Sequence, residues 1–287
     1  MTWREVIVRG GDYLAAKGVD DGRAAVEFLA ARLLHTGRGT LAAHLAAEPD
    51  EVRLGAMRRG VKRLADGEPL QYILGEWDFR RLTLKCDRRA LIPRPETEGL
   101  VDLVLKWAAA RNGVPRPPVI VDVGTGTGAI ALSLAAELRS PAAIIATDVS
   151  EDALALAREN AGRTGLSDAV RFVAMDGLDD FDEPGIIDAI VSNPPYIASG
   201  ECPRLGRRVW DFEPHLALNG GPAGLDFYER YTADAMNLLA PSGAVFYEIG
   251  AEQGDQVRQI LEGYGFGDVK ILKDLSGRDR YATGVLD

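Results

Sequence analysis

Two cysteines, three histidines and no long apolar run set the first limits on this 287-residue chain. Cys86 and Cys202 lie far apart with no metal-ligand spacing around them. That excludes a disulfide scaffold and a cysteine metal site, and a reducing, cytoplasmic setting is expected. His35, His44 and His215 are scattered, so the sequence offers no histidine metal cluster and no evident triad. No apolar stretch approaches the roughly 20 residues of a membrane-spanning helix, and Met1–Gly10 lacks the apolar core of a secretory leader. Positive charge is short where a nucleic-acid backbone would need it. Residues 1–90 carry 16 Lys and Arg against 13 Asp and Glu, and the remainder carries 17 against 30. An acidic second half is a poor host for a duplex, which rewards clustered cations, so no direct nucleic-acid partner is expected. Solubility alone accounts equally well for the acidity.

What is present divides in two. Residues 1–75 read as a small alanine-rich helical bundle. One helix covers Ala24–Leu34 and a shorter one Leu41–Leu45. A third follows Pro49-Asp50, with Leu54, Met57, Val61 and Leu64 on one stripe and Arg53, Arg58, Arg59, Lys62 and Arg63 on the other face. Residues 76–96 read as a linker, with a hairpin formed by Trp77-Asp78-Phe79 and Leu82-Thr83-Leu84. Residues 97–287 form the second domain, beginning with a helix near Thr97, and Asn112–Pro118 is a proline-rich surface link. Strands then alternate with helices as βαβ units require: Val119–Val123, Ala143–Asp148, Val170–Ala174, Ile186–Val191 and Ala244–Ile249. A last pair, Val269–Lys273 and Tyr281–Leu286, has a connection too short for a parallel crossover, so it is expected as an antiparallel hairpin at one end of the sheet. Ala198–Gly224 has weak periodicity and reads as a loop near the site.

The chemistry concentrates at two strand ends. After the apolar run Ile186–Val191 come Ser192-Asn193-Pro194-Pro195-Tyr196. Two prolines fix the backbone and remove two N–H donors, so the carbonyls of Asn193 and Pro194 can face a pocket. Asn193 adds a side-chain acceptor and donor, and Tyr196 a flat face for stacking. This equipment suits a planar NH2 on an amide or a base, although Asn-Pro-Pro also reads as a plain turn. Upstream, Gly124-Thr125-Gly126-Thr127-Gly128 closes a strand and opens a helix. Its G-x-G-x-G spacing departs from the dinucleotide fingerprint. Asp148 ends the next strand, where an acid can accept both ribose hydroxyls. Asp176, followed by Gly177, ends the third strand and could hold an adenine amine. Together these motifs favour S-adenosylmethionine over a nicotinamide cofactor, with S-adenosylhomocysteine as the product.

At this point the chain resembles the HemK/PrmC family, the protein-(glutamine-N5) methyltransferases of peptide-chain release factors. The resemblance runs along Gln71–Gly75, Leu91–Glu98, Asp122–Leu132, Asp148-Val149-Ser150, Asn193–Ile197, Phe212-Glu213-Pro214, Gly224–Tyr228, Glu248-Ile249-Gly250 and Asp274–Arg278. It implies an α/β fold, a seven-stranded class I methyltransferase (Rossmann-like) sheet behind a small N-terminal helical domain that helps grip the factor. It further implies methyl transfer to the glutamine of the factor's Gly-Gly-Gln loop. Gly124 to Gly128 and Asp148 would hold the cofactor. Asn193 would touch cofactor and substrate, and Asn193, Pro194, Pro195 and Tyr196 would bind the glutamine. Arg94 and Glu98 would line the same pocket, with Phe79 as a further candidate. No metal is expected, and a monomer is. Where some family members carry an aromatic residue after the third strand's acid, this chain has Gly177 and Leu178, which leaves the adenine cover open. Two other readings compete: an adenine-N6 methyltransferase on DNA or RNA, which needs a way to extrude the base, and a non-catalytic nucleoside-binding module docking on a translation factor.

Overall fold

The computed structural model describes residues 1–111 and 116–286, so part of the link expected over Asn112–Pro118 lies outside the described residues. The described chain divides into two compact units. Met1–Glu76 and Gly206–Phe212 form the first, and Trp77–Leu205 and Glu213–Asp287 the second.

The first unit is helical: α1 (Trp3–Ala16), α2 (Gly22–Leu33), α3 (Glu51–Ala65) and the short α4 (Leu70–Leu74), with a 3-10 turn over Arg38–His44. Thr2 and Glu5 form a reciprocal cap on α1, and Asp50 accepts from the Arg53 N–H to start α3. Side-chain oxygens there satisfy amides that the helix leaves without partners. The apolar stripes meet in one core of Trp3, Leu14, Val26, Leu29, Met57 and Leu64. Helix α1 has no counterpart in the expected helices, because its apolar residues are interrupted by Arg9, Gly10 and Gly11.

The second unit opens with a hairpin, β1 (Glu76–Phe79) and β2 (Leu82–Lys85), followed by α5 (Thr97–Ala110). The hairpin is no linker. Phe79 and Leu84 are buried in one core with Leu100, Val104, Ile120 and Leu132. The main sheet then builds as β3 (Val119–Val123), α6 (Ala129–Glu137), β4 (Ala143–Asp148), α7 (Glu151–Thr164), β5 (Val170–Ala174) and β6 (Ile187–Ser192). The turn α8 (Arg207–Trp210) belongs to the first unit. The chain continues through α9 (Asp226–Leu238), β7 (Leu239–Glu248), α10 (Gly254–Gly263), β8 (Phe266–Lys273) and β9 (Asp279–Leu286).

Strand order is β5-β4-β3-β6-β7-β9-β8, parallel except for β9, which runs antiparallel to both its neighbours. The expected terminal hairpin is therefore present at the sheet edge. Strand β7 begins five residues before its expected start. The Pro241-Ser242-Gly243 segment reads as a turn, but the register shifts around it, and Leu239 still pairs with Ile187.

Chain order reverses between β3 and β6: β4 and β5 extend the sheet one way, and β6 returns to the other side of β3. The carboxyl ends of adjacent strands diverge at such a point and leave a crevice for ligands. The glycine turn follows β3 and the Asn-Pro-Pro-Tyr turn follows β6, so both open on it. Among the described residues no helix is long and apolar enough to cross a membrane.

Candidate active site

A cavity of about 340 Å3 occupies the crevice. Gly124 to Thr127 form one wall, Asp148 to Ser150 the next, and Asn193 with Pro195 a third. Residues 89–94 and Thr97 close it on one side, and Phe227, Arg230 and Tyr231 of α9 on another.

The glycine turn is shaped by sterics. Gly124, Gly126 and Gly128 all adopt the left-handed region, at φ of 72°, 57° and 83°, where a side chain is strained. A methyl group on Gly128 would press on Leu132 and Ala157, whereas one on Gly124 would meet nothing within 4 Å. Gly128 therefore serves close packing of α6, and Gly124 leaves its backbone open toward the cavity. The turn is braced from beneath: Gly124 and Thr125 donate to the Thr147 carbonyl, each at 2.9 Å. Gly126 donates to Asp148 Oδ2 and Ser150 to Asp148 Oδ1, both at 2.9 Å. The Asp148 carboxylate is thus held at the cavity wall by two backbone amides. Burial raises its pKa against the pull of those hydrogen bonds.

Below the turn, Asp122 is fully buried. Its Oδ2 accepts from Thr125 Oγ1 at 2.6 Å and Ala131 N at 3.1 Å, while Oδ1 has no partner among the described residues. Desolvation pushes it up to about 7, so between the ordinary aspartate range and about pH 7 the folded state holds a proton that the unfolded state has released. Stability from this group is consequently lost as pH rises through that window. Thermal melts at pH 5, 6, 7 and 8 should show Asp122→Asn gaining on the wild-type protein as pH increases. A difference in melting temperature that is constant with pH would contradict a protonated Asp122.

At the third wall Asn193 leaves β6 with its carboxamide tied back: Nδ2 donates to Thr97 Oγ1 at 3.1 Å, and no described residue donates to Oδ1. Thr97 in turn donates to Glu248 Oε2 at 2.6 Å. Burial drives Glu248 up to about 7, opposed first by the Thr97 hydrogen bond. Arg94 lines the cavity and donates to Glu213 Oε1 at 2.5 Å, and Glu213 also accepts from Ile92 N at 3.1 Å. The buried Glu213 therefore fixes both ends of the Ile92–Arg94 segment.

The structure brings Gly124, Thr125, Gly126, Thr127, Asp148, Asp176, Gly177, Asn193, Pro195 and Arg94 to one cavity. Gly128 stands behind it. Pro194 is buried and Tyr196 half-buried beside Asn193, and neither residue lines the cavity. Burial pushes the Tyr196 hydroxyl up to about 12, so it stays protonated.

Two expectations are corrected. Phe79 does not reach the pocket, because strand alternation turns it into the core while Asp78 faces solvent. Glu98 does not reach it either. Helix α5 starts at Thr97, and one residue on, its rotation of about 100° carries Glu98 away. There Glu98 Oε1 accepts from Arg80 N at 3.0 Å in the hairpin turn. Asp176 lies at the cavity with its carboxylate engaged by Arg230 Nη1 at 2.8 Å, so an adenine amine would have to share it with that guanidinium.

The sequence reading missed Thr97, Glu213 and Glu248 as site groups, and the aromatic pair of α9. Thr97 and Glu213 were visible only as parts of longer motifs. Glu248 had a signal, since it ends the strand beside β6. The ring of Tyr231 packs against Gly177, where a Cβ would lie 2.9 Å from it, and Phe227 adjoins it at 5.7 Å between ring centroids. An aromatic wall is therefore supplied by α9 where residue 177 itself has no side chain.

Comparison with known proteins gives a consistent picture. Residues 5–75 match the PrmC N-terminal domain, and residues 112–209 match the methyltransferase small domain. A release factor glutamine methyltransferase of Moorella thermoacetica is 40% identical over 98% of this chain and 97% of its own. One from Chlorobaculum tepidum is 38% identical over 93% and 92%. Among solved structures, the N-terminal domain of human METTL16 in complex with SAH aligns with a TM-score of 0.55 at 16% identity, covering 91% of this chain and 93% of that one. At that identity the likeness concerns the fold.

Proposed function

The chain belongs to the release factor glutamine methyltransferase family, and from that premise we propose that it methylates the side-chain amide nitrogen of the glutamine in the Gly-Gly-Gln loop of peptide-chain release factors. Its methyl donor is S-adenosylmethionine. The observation that carries the reading is Asn193, at the cavity wall with its amide end bound to Thr97 and its oxygen without a partner among the described residues.

The residues present fit the cofactor. The open backbone face at Gly124 admits a ligand against the turn, and Asp148 stands next to it with lone pairs left for ribose hydroxyls. Phe227 and Tyr231 offer apolar surface to a base. S-adenosylmethionine supplies an electrophilic methyl group on a sulfonium and leaves as S-adenosylhomocysteine.

The protein's own task is orientation. An amide nitrogen is a weak nucleophile because its lone pair is delocalised into the carbonyl. Two acceptors, Asn193 Oδ1 and the Pro194 carbonyl, would take its two N–H bonds and aim the nitrogen. As the nitrogen gains positive charge both hydrogen bonds strengthen, so they lower the barrier more than they aid ground-state binding. Arg94, fixed by Glu213, would hold backbone oxygens of the substrate loop, and Tyr196 would support the Asn193 turn from behind. No base is needed before transfer; the surplus proton on nitrogen goes to water afterwards. The helical unit would dock the body of the factor. With a translation factor as substrate the enzyme would act in the cytoplasm, and we propose that it does so as a monomer without direct nucleic-acid contact.

The test offers labelled S-adenosylmethionine with a release factor, with the same factor carrying alanine for its Gly-Gly-Gln glutamine, and with duplex DNA. Label should enter the unaltered factor alone. Label on DNA, or on the alanine factor, would overturn the proposal.

A further inference from the structure

Behind Asn193 runs a buried chain of polar groups that methyl transfer does not itself require. Asn193 follows β6, Thr97 is the first residue of α5, and Glu248 is the last of β7. Strands β6 and β7 pair Ser192 with Tyr247, so the next residues, Asn193 and Glu248, leave the sheet side by side. Thr97 reaches between them. It is 4% exposed and Glu248 1%. The Tyr228 hydroxyl donates to the Glu248 carbonyl at 3.0 Å and pins the end of β7.

The order of donors in this chain has a consequence for Asn193. A threonine hydroxyl carries one hydrogen. With Glu248 ionised, that hydrogen goes to its carboxylate, only lone pairs face Asn193, and only the NH2 end of Asn193 satisfies them; a protonated Glu248 would itself donate to Thr97, so the lock belongs to the carboxylate form. The carboxamide oxygen must then face the cavity. Rotated by half a turn, the same carboxamide would present N–H to a substrate N–H, donor against donor.

We propose that Thr97 and Glu248 are positioning residues for the methyl-accepting amide, locking the Asn193 carboxamide with its oxygen toward the substrate. The inference rests on the proposed function and deepens it. The chain also polarises: a hydroxyl that donates to a carboxylate is a stronger acceptor, and an amide that donates to it has a more negative oxygen. That oxygen is the atom set to meet a nitrogen gaining positive charge.

The experiment compares Thr97→Val, which keeps shape and loses the hydroxyl, with Thr97→Ser, which keeps the hydroxyl. Both are assayed for kcat and KM on a release factor and for S-adenosylmethionine affinity by calorimetry. The Asn193 side-chain NH2 signals are also followed by 15N NMR, assigned through their loss in Asn193→Ala. In Thr97→Val, kcat should fall roughly 10- to 100-fold, as expected for a misaimed acceptor, with cofactor affinity within about twofold. Its NH2 signals should shift and exchange faster with water. Thr97→Ser should restore kcat to within about threefold and return the signals. Glu248→Gln, which keeps the length of the side chain, should also lower kcat and shift the Asn193 signals.

The proposal is overturned if Thr97→Val keeps kcat within twofold, or if Thr97→Ser is as slow as Thr97→Val, which would mark a packing role for the methyl group. The NMR measurement needs no protein substrate. A wild-type protein inactive on release factors but with Thr97-dependent NH2 signals would sink the proposed function while sparing the lock.

Discussion

Replacing Asn193 by alanine should leave a protein that folds, binds S-adenosylmethionine and transfers almost nothing. On the proposed function Asn193 would contribute one of two acceptors to the amide nitrogen; the residue is half-buried and its carboxamide is bonded to Thr97. Loss of one such preorganised group costs about 10²–10³ in kcat in comparable oxyanion sites. Here orientation of the nucleophile is lost as well, so a fall of roughly 10³-fold or more is expected. The stability cost should be modest, on the order of 1 kcal/mol for one hydrogen bond. Cofactor affinity should change by no more than about threefold, because the glycine turn and Asp148 are held by β3 and β4 through their own backbone bonds. Turnover counting with labelled donor and calorimetry on the same preparation check both halves. Turnover within tenfold of wild type would remove Asn193 from the centre of the reaction. A matching loss of cofactor affinity would make it a binding residue instead.

The sheet was legible from sequence wherever strands are short, apolar and bounded by glycine or proline. Val119–Val123, Ala143–Asp148 and Val170–Ala174 agree with the structure to the residue. Both loops that meet at the switch point could be read because their chemistry is local: alternate glycines for one and consecutive prolines for the other. Residues that act through a neighbour distant in the chain were harder. Thr97 and Glu248 are 151 positions apart and meet only because α5 starts over the end of β7. Glu213 serves Arg94 across 119 positions. Glu98 misled for the same reason, since a motif places it beside Arg94 but only the start of α5 decides which way it turns. Phe79 shows the reverse error. A hairpin taken for a linker proves to carry its aromatic residue into the core.

Gly224→Ala should be strongly damaging although Gly224 lies outside the cavity lining. The Asn193–Tyr196 turn is backed by the segment 218–224. Ile197 N donates to the Leu218 carbonyl at 3.1 Å, and Gly220 N returns a bond to the Ile197 carbonyl at 2.9 Å. Gln253 Nε2 bridges the carbonyls of Tyr196 and Gly224, each at 3.0 Å. Gly224 has φ of 74°, and a Cβ there would overlap the Tyr196 carbonyl and lie 2.8 Å from Gln253 Nε2. A methyl group therefore has nowhere to go except by pushing the turn that carries Asn193. Left-handed strain for alanine costs about 1–2 kcal/mol, and displacing the turn costs more. Gly165 supplies the control: its φ is 73° with nothing within 4 Å, at the end of α7 and away from the cavity. Gly165→Ala should show the strain alone, a lower melting temperature with full kcat. Gly224→Ala should melt lower still and lose about 100-fold in kcat, the price of roughly 1 Å in the placement of Asn193. If the two variants matched in both melting temperature and kcat, the backing of the turn would have no part in aiming the amide, and Asn193 would have to be held from the Thr97 side alone.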